Sequence, residues 1–189
     1  ISLLDPGDEV VMFEPYFDSY AAAVAMAGGV RRVVPLVLVD GEWGFDPDAL
    51  RAAITPRTKL LLINTPHNPT GKVLTRAESE QIAAVAIEQN LLVVTDEVYE
   101  HLVYDGVHIP LATLPGMAER TLTISSGGKT FQCTGWKVGW IVGPEPLVTA
   151  VRTSKQFLTY VSGGPLQYGI AVGLRLGDDH FATLRENQD

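Results

Sequence analysis

The chain has 189 residues, of which 46% are hydrophobic and 19% charged, which is a globular composition rather than a disordered one. Its formal net charge of −8 argues against an extended nucleic-acid surface or a polybasic membrane surface. The single cysteine, Cys133, excludes an internal disulfide framework and is typical of a reducing compartment such as the cytoplasm. No apolar run approaches the roughly 18 residues that a membrane-spanning helix needs.

Apolar, β-rich segments alternate with helical patterns along the chain. Strands are predicted at residues 9–15, 30–39, 59–66, 91–98, 120–126 and 138–143. Helices are predicted between them at 16–29, 46–54, 75–90 and 144–160, and again from residue 165. This alternation predicts a single α/β domain with a mostly parallel sheet covered by helices. Several strands are continuous apolar runs, as expected when both faces of a sheet are covered.

The helix ends carry recognisable capping residues. A glycine pair at 28–29 is suited to the end of the first helix, and Asp46 is a candidate N-cap of the second. The third helix is predicted to open with Thr75 and Glu78 as a capping box and to close at Asn90.

The two ends of the chain do not look like natural termini. The first residues show neither an initiator methionine nor a signal-peptide pattern, and the last residues have the pattern of the middle of a helix. We therefore expect the central piece of a longer protein.

Parallel sheets bind ligands beyond the carboxyl ends of their strands, so the turns there are the candidate sites. In "NTPHNPTGKV" (64–73), Asn68 offers an amide donor to a ligand, although an ordinary Pro/Gly turn is the alternative. The Asn68–Pro69 bond could be cis. In "VVTDEVYEHLVY" (93–104), Asp96 ends an apolar strand and needs a cation or donors to compensate it, with Tyr99 nearby. It could instead simply cap the next turn.

The third strand end is "ISSGGKTFQCTGWKVGW" (124–140). Lys129 is either an ordinary solvated lysine or a buried, nucleophilic amine that forms Schiff bases with carbonyls. The two preceding glycines would let a ligand approach the backbone closely, and Ser126 could present a hydroxyl to a phosphate. Lys137 adds a positive charge. Together, these three ends predict a ligand with an aldehyde, a ring cation, a phenolic oxygen and a phosphate, and pyridoxal 5'-phosphate has all four.

The segments "PHNPTG", "TDEVYEHLVYDG" and "SSGGKTFQCTGWKVGW" jointly resemble the pyridoxal-phosphate aminotransferases of class I/II, which have fold type I. Within that class the chain is similar to the kynurenine aminotransferase-like enzymes and the bacterial N-succinyldiaminopimelate aminotransferases. The similarity runs along essentially all 189 residues. It implies that residues 1–189 are the central part of the large, cofactor-binding domain, an incomplete one, with the amino-terminal arm and the carboxyl-terminal small domain absent.

The resemblance implies a role for each matching residue. Lys129 would bind the cofactor covalently and act as the acid/base at the amino acid's α-carbon. Asp96 would pair with the pyridine nitrogen, and Asn68 and Tyr99 would donate to the phenolic oxygen.

Three further residues would complete the cofactor site. Phe17 would stack on the ring, although its position alone fits an ordinary core aromatic. Ser126 and Lys137 would hold the phosphate, and Lys137 stands where many members of the class carry the more directional arginine.

The resemblance also implies substrates and partners: an amino acid and a 2-oxo acid, and a homodimer when full-length. Because the small domain holds the arginine that clamps the substrate carboxylate, we expect the isolated chain to be inactive. Three alternatives stay open: a carbon–sulfur β-lyase, an effector-binding module of a transcription regulator, and an inert fragment that holds no cofactor.

Overall fold

Seven strands form one sheet within residues 1–186, the part that the computed structural model describes, apart from the side chain of Arg185. The strands are β1 (Glu9–Glu14), β2 (Val30–Val39), β3 (Glu42–Phe45), β4 (Thr58–Asn64), β5 (Leu92–Asp96), β6 (Thr121–Ser126) and β7 (Gly139–Val142). The helices are α1 (Asp18–Met26), α2 (Pro47–Ala53), α3 (Arg76–Glu88), α4 (Gly127–Thr130), α5 (Glu145–Leu158), α6 (Gly164–Gly173) and α7 (Asp178–Glu186). The predicted helical region after residue 165 is thus two helices, and residues 187–189 lie outside the described part.

The sheet is mostly parallel, which confirms the predicted fold class. Its order is β3-β2-β1-β4-β5-β6-β7, and the five inner strands run parallel while β3 and β7 pair antiparallel at the edges. The sequence prediction missed β3. This strand follows a two-residue turn at Asp40 and Gly41, whose φ angles are 52° and 85°. Asp-Gly is a typical hairpin signal, and it stands between Val39 and Glu42, which pair across the turn.

Both faces of β1 are buried. On β1, Val10 and Met12 pack with Val24 of α1 on one face, and Val11 and Phe13 belong to the larger core on the other face. Helices α2 and α3 contribute to that larger core. Since each side of the strand meets apolar neighbours, the sequence is a continuous apolar run without polar alternation, as predicted.

The predicted helix caps are present and set where the helices begin. The Thr75 hydroxyl accepts from the Glu78 N–H at 3.2 Å, and the Glu78 carboxylate accepts from the Thr75 N–H at 2.8 Å. Asp46 caps α2 by accepting from the Asp48 N–H at 2.9 Å. Helix α1 begins at Asp18, two residues later than predicted. Among residues 1–186, no helix is both long enough and apolar enough to cross a bilayer.

A buried carboxylate at the start of β1 makes the stability of the fold dependent on pH. Glu9 accepts hydrogen bonds from the Thr55 hydroxyl at 2.7 Å and from the Arg57 guanidinium at 2.6 Å, and these contacts lower the pKa of Glu9. A lowered folded-state pKa stabilises the fold above the ordinary glutamate pKa of about 4.3, and this stabilisation is lost as pH falls through the lowered value.

We expect Glu9→Gln to lower the free energy of unfolding at pH 7 and to flatten its decline below about pH 4.3, since the titrating group is gone. The measurement is urea unfolding at a series of pH values. Glu14→Gln, at the exposed end of the same strand, is the matched control. An unchanged acid profile in Glu9→Gln would contradict this account.

Candidate active site

The carboxyl ends of four parallel strands surround a cavity of about 180 Å³. Each residue singled out from the sequence that lines it lies at, or within four residues after, the end of β1, β4, β5 or β6. These six are Phe17, Asn68, Asp96, Tyr99, Ser126 and Lys129. Parallel strands bring their carboxyl ends to one edge of a sheet, and the residues of three separate motifs therefore meet.

Lys137 is the predicted site residue that the structure does not bring to this cavity. It is exposed and lies outside the lining set. It follows the short 3₁₀ helix Thr134–Trp136 in a left-handed backbone conformation, with a φ of 53°. Two residues later, Gly139 begins antiparallel β7 opposite Ser126, so the backbone of Lys137 lies near the same edge of the sheet although Lys137 does not line the cavity.

Asp96 is compensated by two hydrogen-bond donors. Its Oδ2 accepts from the Tyr20 hydroxyl at 2.6 Å, and its Oδ1 accepts from the Val98 N–H at 3.3 Å. Burial, followed by the charge of Asp96, raises the pKa of Tyr20, so this phenol stays protonated and remains a donor. The sequence analysis missed Tyr20. Its signal was the spacing "FDSY", which places Tyr20 one helical turn after Phe17.

Asn64 connects two of the strand ends and was also missed. Its side chain is buried, and its amide group donates to the backbone carbonyls of Asp96 at 2.9 Å and Pro66 at 3.0 Å. Its side-chain oxygen accepts from the Asn68 N–H at 2.7 Å. The Asn68–Pro69 peptide bond is cis, as the sequence permitted. The signal for Asn64 was an amide at the end of the apolar run "LLLIN".

Lys129 lies in the short helix α4 and is exposed, so the interpretation as a buried amine is wrong for the described chain. Its Nζ stands 5.5 Å from the centroid of the Tyr99 ring, within the range of a cation–π contact. Ser126 caps the same helix by accepting from the Gly128 N–H at 3.1 Å. Helix α4, which carries Lys129, is therefore fixed to the end of β6 by a local hydrogen bond.

The glycines before Lys129 allow α4 to pack closely against its neighbours. A Cβ on Gly127 would lie 2.4 Å from the Cδ1 of Ile170 in α6. A Cβ on Gly128 would lie 3.0 Å from the Cα of Thr134. Larger residues would therefore push α4 away from its neighbours.

The lining residues have the chemistry that pyridoxal phosphate requires. An amine on Lys129, a carboxylate on Asp96 and a phenol on Tyr99 face one cavity, and they match the cofactor's aldehyde, ring nitrogen and phenolic oxygen. Of the two predicted phosphate ligands, Ser126 lines the cavity and Lys137 does not. The donor set fits the ring of the cofactor more completely than its phosphate.

Comparisons with known proteins agree with this chemistry. The family "Aminotransferase class I and II" matches residues 1–187. A probable N-succinyldiaminopimelate aminotransferase of Mycobacterium tuberculosis is 53% identical over 99% of this chain and 47% of its own length. Kynurenine–oxoglutarate transaminase 3 of Mus musculus is 47% identical over 89% of this chain and 39% of its own length. The solved N-succinyldiaminopimelate aminotransferase of Mycobacterium tuberculosis superposes with a TM-score of 0.96 at 53% identity, over 98% of this chain and 49% of that structure.

The chain belongs to the class I and II aminotransferase family, and its fold is the fold type I of those enzymes. Enzymes of this family depend on pyridoxal 5'-phosphate. The chain spans about half the length of the curated relatives it matches.

A buried histidine in the loop that carries Asn68 gives the structure a second pH dependence. The Nδ1 of His67 lies 2.8 Å from the Thr70 hydroxyl oxygen. Burial lowers the pKa of His67, and the charge of Lys72 lowers it further against an opposing hydrogen bond to the Pro15 backbone. The unfolded histidine takes up a proton near pH 6.5 while the folded one does not, so the fold loses stability as pH falls below about 6.5.

We expect His67→Gln to reduce this loss of unfolding free energy between pH 7 and 5, where a single histidine contributes at most about 1.4 kcal/mol per pH unit. Urea unfolding between pH 7 and 5 measures this loss of unfolding free energy. The range lies above about pH 4.3, below which the contribution of Glu9 is lost. His180→Gln, at an exposed histidine, is the matched control. Equal slopes in His67→Gln and the unsubstituted chain would contradict the assignment.

Proposed function

We propose that residues 1–189 are the central part of the large domain of a longer aminotransferase, which exchanges amino groups between an amino acid and a 2-oxo acid. The observation that carries this proposal is the meeting of Lys129, Asp96 and Tyr99 at one cavity, in a chain that the family matches over residues 1–187. Coverage of about half of each relative supports an amino-terminal arm and a carboxyl-terminal small domain in the whole protein.

Each residue of the proposed site has a separate role. Bound pyridoxal phosphate would supply the electron sink for negative charge at the amino acid's α-carbon. The Lys129 Nζ is the amine that binds the cofactor and the base that takes the α-proton. The Asp96 carboxylate faces the ring nitrogen, because its charge favours the protonated ring, and Tyr99 and Asn68 donate at the phenolic oxygen.

The remaining proposed contacts orient the cofactor. The Phe17 ring covers one face of the pyridine, and the Ser126 hydroxyl holds the phosphate; both residues line the cavity. Lys137 is the second proposed phosphate ligand, and its assignment rests on the family resemblance.

Two other functions have less support. A carbon–sulfur β-lyase and an effector-binding module of a regulator would both use this fold and this lysine. The relatives that match 89% and 99% of the chain are a transaminase and a probable aminotransferase by name, which favours amino-group exchange.

The proposed full-length protein is a cytoplasmic homodimer. Large aromatic side chains around the α5–α6 connection support a partner subunit there: Phe157 is 85% exposed, Tyr160 71% and Tyr168 81%. Exposed apolar residues of this size are typical of an interface rather than of free surface. The single Cys133 supports the reducing compartment, and the net charge of −8 supports small-molecule substrates over nucleic acid or a membrane surface.

The cofactor assignment predicts one specifically labelled lysine. When the chain is incubated with pyridoxal phosphate and reduced with borohydride, we expect a stable adduct that peptide mapping locates on Lys129, since reduction fixes the cofactor on the amine that has bound its aldehyde. Lys129→Arg should abolish this adduct, and Lys59→Arg, at an exposed lysine on β4, should retain it. Labelling spread over surface lysines in both variants would contradict the assignment.

The 189-residue chain, with its mass verified, should show little or no amino-group exchange, because the carboxylate clamp that orients the substrate lies outside it. The full-length protein should convert an amino acid and a 2-oxo acid into their exchanged products, which chromatography detects. Pyruvate and ammonia released from a sulfur amino acid by the full-length protein, without exchange, would instead support a β-lyase. Clear turnover by the 189-residue chain would contradict the expected dependence on the missing parts.

A further inference from the structure

The Tyr20 side chain connects two residues of the candidate cofactor site that lie on different elements. Its hydroxyl donates to the Asp96 Oδ2 at 2.6 Å, a short hydrogen bond to a charged group. Its ring meets the Phe17 ring edge-on, with centroids 5.7 Å apart and an interplanar angle of 83°. Tyr20 therefore contacts both the proposed partner of the ring nitrogen and the proposed cover of the ring face.

The first turn of α1 fixes this position. Phe17 is the N-cap residue of the helix, and its carbonyl accepts from the Tyr20 N–H at 3.0 Å. The backbone of the turn thus sets the spacing between the two rings. Tyr20 is half-buried while Phe17 is exposed, so the helix anchors itself against β5 through Tyr20.

The Tyr20–Asp96 pair also stands between two cavities. Both residues line the site cavity of about 180 Å³ and a second, largely apolar cavity of about 280 Å³ that Val10, Leu62 and Val94 help to form. A carboxylate oxygen facing such an apolar surface without a donor is strongly unfavourable. The hydroxyl of Tyr20 supplies that donor, and its raised pKa keeps the proton on the phenol.

We propose that Tyr20 is a positioning residue of the cofactor site, whose hydroxyl holds the Asp96 carboxylate in place and leaves its remaining acceptor capacity for the ring nitrogen of pyridoxal phosphate. The Val98 N–H fixes the other oxygen, so both oxygens of Asp96 are oriented by the chain itself. The part of this inference that concerns the ring nitrogen rests on the proposed function. The contact between Tyr20 and Asp96 does not.

The test compares Tyr20→Phe, Asp96→Asn and the double variant with the unsubstituted chain. Tyr16→Phe is the matched control, because the Tyr16 hydroxyl accepts a hydrogen bond from the Arg31 guanidinium at 2.9 Å and does not contact Asp96. We expect Tyr20→Phe to weaken pyridoxal phosphate binding about tenfold, which corresponds to the loss of one hydrogen bond to a charged group. Asp96→Asn should weaken it further, and the double variant should bind like Asp96→Asn alone, because Tyr20 acts through Asp96.

A second readout separates positioning from a general structural role. The pH midpoint of the visible absorbance of the bound cofactor should shift in Asp96→Asn, which removes the negative charge beside the ring nitrogen, and also in Tyr20→Phe, which removes the donor that orients that charge. Tyr16→Phe should leave it unchanged. Unaltered binding and midpoint in Tyr20→Phe would overturn the proposal, and so would a full effect of Tyr20→Phe in the Asp96→Asn background.

The same four variants distinguish failure of this inference from failure of the proposed function. If the unsubstituted chain binds no pyridoxal phosphate, the proposed cofactor site is wrong for this chain, and the role of Tyr20 towards the ring nitrogen falls with it. Urea unfolding of the cofactor-free variants then decides the remaining contact. Non-additive effects of Tyr20→Phe and Asp96→Asn support it, and additive effects overturn it.

Discussion

One buried amide, that of Asn64, fixes the edge of the sheet on which the candidate site depends. Parallel pairing of β4 and β5 places Asn64 opposite Asp96. The Asn64 side-chain amide group donates to the Asp96 carbonyl, and its side-chain oxygen accepts from the Asn68 N–H. Its side chain has all three hydrogen bonds within the protein and is only 6% exposed. Because an unpaired buried amide is costly, any shift between the strand ends would break a satisfied network. The register of β4 and β5 therefore determines the relative positions of Asp96 and Asn68 in the candidate site.

The two charged groups of the site are supported very differently. Asp96 has donors on both oxygens and borders an apolar cavity, so the chain orients this carboxylate by itself. Lys129 is exposed, and its Nζ lies 5.5 Å from the centroid of the Tyr99 ring. Any desolvation of this amine must come from groups that cover it. We therefore expect the described chain to define the orientation of the cofactor ring better than the reactivity of the lysine.

Strong local patterns were enough to predict much of the fold. Strands β1 and β4 contain continuous apolar runs, and the capping box at Thr75 is specified by residues three apart, so both could be predicted from short segments. The bond from Tyr20 to Asp96 and the bond from Asn64 to the Asp96 carbonyl join residues 76 and 32 positions apart, and no local pattern contains them. The packing of Ile170 in α6 against Gly127 is a further contact that the local pattern around Lys129 does not contain.

The sheet topology also explains which motif residues could be assigned to the candidate site from the sequence alone. Residues that follow β4, β5 and β6 had to converge, because parallel neighbours end at the same edge whatever their loops do. Lys137 stands two residues before Gly139, which pairs with Ser126, so the sheet brings its backbone to the same edge, but strand pairing does not fix the direction of its side chain. The ring-binding residues of the proposed site and Ser126 thus follow from the sheet, whereas the contribution of Lys137 depends on how the 134–138 turn packs.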